Sequence, residues 1–166
     1  MFRHVLQHRA DYCVPACVTM IELWRGEQFA DLTRHQEELY ERMHVSRRGC
    51  PLNAAAAFLG VRPGPMRDFD DDENLQMFSH RLDDNTCAVV TCFGDLWMNM
   101  LSQRGLSSPH GTLDRFPAHA VCVTRYENHT FEIFDPWSTR EGQPLWLNQD
   151  EFVGLWTWEH FFVSRD

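Results

Sequence analysis

"QHRADYCVPACVTMIELW", Gln7 to Trp24, decides how the rest of the chain is read. Its apolar residues Val14, Cys17, Val18, Ile21 and Trp24 recur at intervals of one, three and four, which is one face of an amphipathic helix, and Gly26 follows as a stop. Cys13 stands at the start of that helix. Exposed amides and the dipole at a helix N-terminus stabilise an anion, so the position suits a thiolate nucleophile. Cys17 lies one turn further on and fits the buried face, where a free cysteine acts as a small hydrophobe.

Working outward, the spacing of Phe29, Leu32, Leu39, Tyr40 and Met43 predicts a second, more exposed helix within 27–43. "RRGCPLNAAAAFLGVRPGP" reads as a loop, a short alanine-rich helix beginning near Pro51, and a turn, and the acidic "DFDDDEN" (68–74) as a solvated loop. "CAVVTCF" from Cys87 to Phe93 reads as a buried strand. "HAVCVTRY" and "TFEIFDPW" read as two more, joined through the polar "ENH" as a hairpin, and "WEHFFVSR" as a strand closing the sheet. Helices followed by an antiparallel sheet make an α+β pattern. The segment 94–117, with Trp97, Met98 and Met100, is too long for a hairpin turn and reads either as a lid over a cleft or as a surface excursion.

The composition narrows the class. With 166 residues, 43% of them hydrophobic, the chain is expected to fold as a single domain, 1–166. A net charge of −9 repels a phosphate backbone, which argues against nucleic acid as a partner. No apolar run approaches a membrane span, which argues against membrane insertion. Six cysteines are too few for a disulfide scaffold of this size, and no signal peptide is apparent, so a reducing cytoplasm is expected. All fifteen basic residues are arginine. A GC-rich genome produces that bias, and so does selection against lysine modification in an effector delivered into another cell.

A cysteine nucleophile requires a base that also protonates the leaving amine, a group that orients the base, and donors for the oxyanion. His119 opens an apolar strand, where a side chain can face a cleft. Asp135 ends the strand expected to pair with it, so the hairpin brings the two together. Gln7, six residues before Cys13, offers a side-chain amide to the oxyanion beside the Cys13 backbone amide. His4, His8, His35, His44, His80, His110, His129 and His160 read as solvated. Metal binding is not expected, because neither C-x-x-C nor H-E-x-x-H occurs, and the chemistry calls for no cofactor.

Three pieces in order, "QHRADYCVPACVTM", "HAVCV" from His119 and "FDPW" from Phe134, resemble the papain-like bacteriocin-processing, or double-glycine leader, cysteine peptidases of bacteria. "NAAAAFLGV" and "LNQDEFVGLW" resemble further segments of that family. The resemblance implies a papain-like fold, with N-terminal helices packed on an antiparallel sheet. It implies Cys13 as nucleophile, His119 and Asp135 completing the triad, and Gln7 as oxyanion donor. It further implies hydrolysis of a peptide or protein substrate, with small residues before the scissile bond. Val14 stands where the family has glycine, and a branched side chain there is expected to reshape access to the cleft. The transporter membrane and ATPase domains of the best-known members are missing, so a stand-alone protein or an excised domain is expected.

The same triad also runs glutamine deamidation or transglutamination, since only the acyl donor and acceptor change. A target protein that gains mass without cleavage would mark that chemistry. A non-catalytic peptide-binding module is the third reading.

Overall fold

The computed structural model describes residues 1–43, 50–64, 72–110, 117–139 and 143–166. Among the described residues there are six helices and five strands. They are α1 (Cys13–Arg25), α2 (Leu32–Arg42), α3 (Leu52–Phe58), α4 (Asp72–His80), β1 (Thr86–Phe93), α5 (Gly94–Gln103), β2 (Ala118–Glu127), β3 (Thr130–Phe134), β4 (Leu145–Asn148), α6 (Gln149–Leu155) and β5 (Trp156–Ser164). The strands form one antiparallel sheet in the order β4-β3-β2-β1-β5.

Strand β1, between β2 and β5, is apolar without alternation because both of its faces are covered. Cys87 and Val89 face a layer built from α1, α2 and α3, including Val18, Ile21, Leu39 and Ala55. Ala88, Val90 and Cys92 face a second layer from α4, α5 and α6, including Phe78, Trp97, Leu101 and Phe152. The sequence pattern of helices first and sheet afterwards therefore describes only one face. α4, which precedes β1, packs on the other face together with α5 and α6, which are interleaved with the strands.

Local chemistry explains the element ends. Gly26 closes α1 at φ +107°, a left-handed conformation in which a Cβ is strained. Asp31 caps α2 by accepting from the Thr33 and Arg34 amides, and Asn148 caps α6 by accepting from Glu151. Asn128 and His129, both at positive φ, make the two-residue turn that joins β2 to β3. α4 begins at Asp72, so the end of the acidic "DFDDDEN" opens a helix rather than lying in a loop, because Leu75 and Phe78 reach the core at helical spacing. The rest of that acidic stretch and most of "RRGC" lie outside the described residues. No described helix is long and apolar enough to cross a membrane.

Candidate active site

Alternation along β2 puts His119 on the same face as Val121 and Val123, the face covered by α5. Asp135 follows the last residue of β3, whose Phe134 pairs with Cys122. The tight turn thus sets a histidine near one strand's start diagonally across from an aspartate at its partner's end. His119 Nε2 donates to Asp135 Oδ1 at 2.6 Å, and both side chains are wholly removed from solvent.

Two further donors fix the carboxylate, and a third bond fixes the Asp135 backbone. The Trp137 amide donates to Oδ1 at 2.9 Å and the Trp97 indole to Oδ2 at 3.2 Å, while the Asp135 backbone amide donates to Gln143 Oε1 at 2.8 Å. Burial pushes the Asp135 pKa up, but the His119 charge and hydrogen bond, with the Trp137 and Trp97 donors, outweigh it and hold the carboxyl below its ordinary value. For His119 burial favours the neutral ring. The Asp135 charge and hydrogen bond override that, Cys13 adds to them, and the imidazole pKa rises to about 9.

Cys13 is half-buried at the first position of α1, whose preceding residue, Tyr12, supplies no side-chain cap. Pro15 has no N–H and the Ala16 amide is bonded to Tyr12 O, so the Cys13 and Val14 amides are the first-turn N–H groups without an intrahelical acceptor. Cys13 interacts with His119 strongly enough to favour the imidazolium. With Nε2 given to Asp135, Nδ1 is the ring nitrogen left for that thiol. Burial acts on four other thiols. Burial raises the pKa of Cys17 and Cys87, and of Cys92, well above the ordinary value, and burial followed by the Cys13 charge pushes Cys50 up to about 12.

Gln7 is buried, and its Nε2 donates to Arg9 O at 2.7 Å and Ala10 O at 3.0 Å. Both amide hydrogens are thus engaged within the 7–10 turn. Among the described residues, the buried side-chain polar atoms without a partner are Gln7 Oε1, His119 Nδ1 and Trp137 Nε1. All three belong to one neighbourhood, since Gln7 N donates to Pro136 O at 2.8 Å and the Trp137 ring stands edge-on to His119.

Several expectations change. Val14 points into the core at 2% exposure, so it reshapes no cleft; the helix turns it under Cys13 into the α1–sheet layer. Trp97 and Met100 are buried on α5 and form no lid. Residues 111–116 of that segment lie outside the described ones. His4 and His110 are not merely solvated: His4 Nε2 bonds Asp135 O at 2.8 Å and His110 Nε2 bonds Gln7 O at 2.7 Å. His160 is largely buried against Phe78, Trp156 and Phe162. The contacts of Trp97 with Asp135 and of His110 with Gln7 span long sequence separations with no local motif, which hides them from the sequence.

A separate cavity of about 930 Å³, lined by Phe2, His4, Trp24, Thr124, Phe134 and Gln143 among others, includes none of Gln7, Cys13, His119 and Asp135.

No protein-family model and no curated protein matches the sequence. Solved structures do. The peptidase domain of ComA from Streptococcus, a bi-functional ABC transporter involved in quorum sensing, superposes with a TM-score of 0.62 at 17% identity, covering 99% of each chain. A putative C39-like peptidase from Bacillus anthracis gives 0.61 at 11% identity, covering 99% of this chain and 96% of the other. At such identities the likeness carries the fold, and the chain has the α+β, papain-like fold of C39 peptidase domains.

Proposed function

We propose that residues 1–166 form one papain-like cysteine peptidase domain that hydrolyses a peptide bond in a peptide or protein substrate, with small residues before the scissile bond. The reading is carried by the buried His119–Asp135 contact, with Nε2 committed to the carboxylate and Nδ1 left for Cys13 at an uncapped helix start. The six free cysteines suit a reducing compartment such as the cytoplasm.

The Cys13 thiol gives its proton to His119 Nδ1, its sulfur attacks the carbonyl carbon, and the carbonyl π electrons move to oxygen. That oxyanion accepts from the Cys13 backbone amide and from Gln7 Nε2, which releases Ala10 O, the longer of its two bonds. His119 Nδ1–H protonates the leaving nitrogen as the C–N bond breaks, leaving a thioester on Cys13. Water then gives a proton to Nδ1 and attacks the thioester, releasing the carboxylic acid and the thiol. Asp135 stabilises the imidazolium and fixes its ring throughout.

The test is intact-mass labelling with limiting iodoacetamide between about pH 5 and 9, alongside hydrolysis of a fluorogenic tetrapeptide library. Cys13 should label first, more slowly in His119→Ala, and turnover should vanish in Cys13→Ala. Equal, slow labelling of all six cysteines would sink the reading and leave a peptide-holding module.

A further inference from the structure

Gln7 lies on an N-terminal arm with no helix or strand of its own, so its backbone needs bonds from other segments for the precision of an oxyanion donor. Its peptide units are held from two sides. Its N–H donates to Pro136 O at 2.8 Å, and its carbonyl accepts from His110 Nε2 at 2.7 Å. A carbonyl oxygen only accepts, so Nε2 carries the hydrogen whether the imidazole is neutral or charged. The His110 ring packs on Trp137, centroids 5.7 Å apart, and its own amide donates to Ser108 Oγ at 3.1 Å. The Thr139 amide donates to Ser107 O at 3.4 Å, which ties the segment bearing His110 to the turn after Asp135. His110, Pro136 and Trp137 thus form one clamp around the Gln7 backbone, and the clamp is continuous with the residue that orients His119.

We propose that His110 is a positioning residue that holds Gln7 in register with Cys13 for oxyanion stabilisation. The inference rests on the peptidase reading given above. His110 touches no reacting atom. It acts by limiting motion of the Gln7 backbone while the side-chain amide exchanges Ala10 O for the oxyanion. An oxyanion develops only after attack, so the clamp acts on kcat and leaves ground-state binding nearly unchanged.

Two variants separate the bond from the packing. His110→Phe keeps a ring against Trp137 and deletes the donor, whereas His110→Gln keeps a donor. On the fluorogenic tetrapeptide library, His110→Phe should lower kcat about tenfold with KM within about twofold, and His110→Gln should retain most of the activity. On a Gln7→Ala background the His110→Phe effect should shrink to under about twofold, because the donor it positions is gone. Unchanged kcat in His110→Phe, or an undiminished effect in the double variant, overturns the proposal.

Hydrogen exchange at the Gln7 backbone amide reads the same clamp without any substrate. It should quicken in His110→Phe and stay near wild type in His110→Gln. If the wild-type protein cleaves no peptide, the peptidase reading falls and exchange alone decides the clamp: unchanged Gln7 exchange in His110→Phe removes it.

Discussion

Trp97 Nε1 donates to Asp135 Oδ2, so a side chain from α5 occupies the second oxygen of a carboxylate whose first oxygen serves His119. Donors therefore approach both oxygens, and a side chain with acceptors at both positions is required. Papain-like enzymes elsewhere use asparagine as the orienting residue, but here an asparagine amide would set N–H against N–H at Trp97. Asp135→Asn should cost at least about tenfold in kcat, and Trp97→Phe added to it should recover part of the loss. Trp97→Phe alone leaves a buried carboxylate oxygen unpaired and should destabilise the fold by about 1–3 kcal/mol in denaturant melts. Additive losses in the double variant would refute this donor conflict.

Val14 lies beneath Cys13 in the core. Val14→Gly should leave KM unchanged and lower stability by about 2–4 kcal/mol, from lost apolar burial and poor helix propensity. A change in KM with stability preserved would show that the side chain does face substrate.

The pH dependence follows from two opposite shifts. His119 titrates near 9 when folded against about 6.5 when unfolded, so its contribution to stability is complete below about 6.5 and is lost as pH rises toward 9. Asp135 is shifted down, so its contribution is present above the ordinary carboxyl range and is lost as pH falls below it. The Tm difference between wild type and His119→Gln should therefore narrow from pH 6.5 to 9. The alkaline limb of activity should lie near pH 9 and move to lower pH in Asp135→Asn. A limb unmoved by that change would assign it to another group.

The Asn128–His129 turn has both residues at positive φ, an arrangement for which asparagine followed by glycine is favoured. His129→Gly should raise stability by about 0.5 kcal/mol with kcat unchanged, checked by thermal melts. A loss of stability would mean that the His129 contact with Tyr126 outweighs the backbone strain.

The parts legible in the sequence share a physical basis. α1, the β2–β3 hairpin and the juxtaposition of His119 with Asp135 are local: periodicity, a stop and a turn specify them within a few residues. β4 and α6, "LWLNQDEFVGL", escaped assignment because four strand residues run straight into a helix, too short a stretch for a period of two to show. The second helical layer was invisible because nothing in α5 or α6 says which face of the sheet it will cover. Trp97 looked like a lid residue for the same reason: an aromatic at helical spacing reads alike over a cleft or in a core. The commitment of the Gln7 amide to Arg9 O and Ala10 O depends on tertiary placement, which spacing from Cys13 does not encode.

The β2–β3 hairpin also has a temporal consequence. His119 and Asp135 are joined by a short turn, and closing so small a loop is entropically cheap, whereas Cys13 must be brought from the far end of the chain. The acid–base half of the site should therefore assemble early in refolding and the nucleophile should dock later. During synthesis the order is reversed: Cys13 leaves the ribosome long before its base exists, so a nascent chain carries an idle thiol until β2 and β3 emerge.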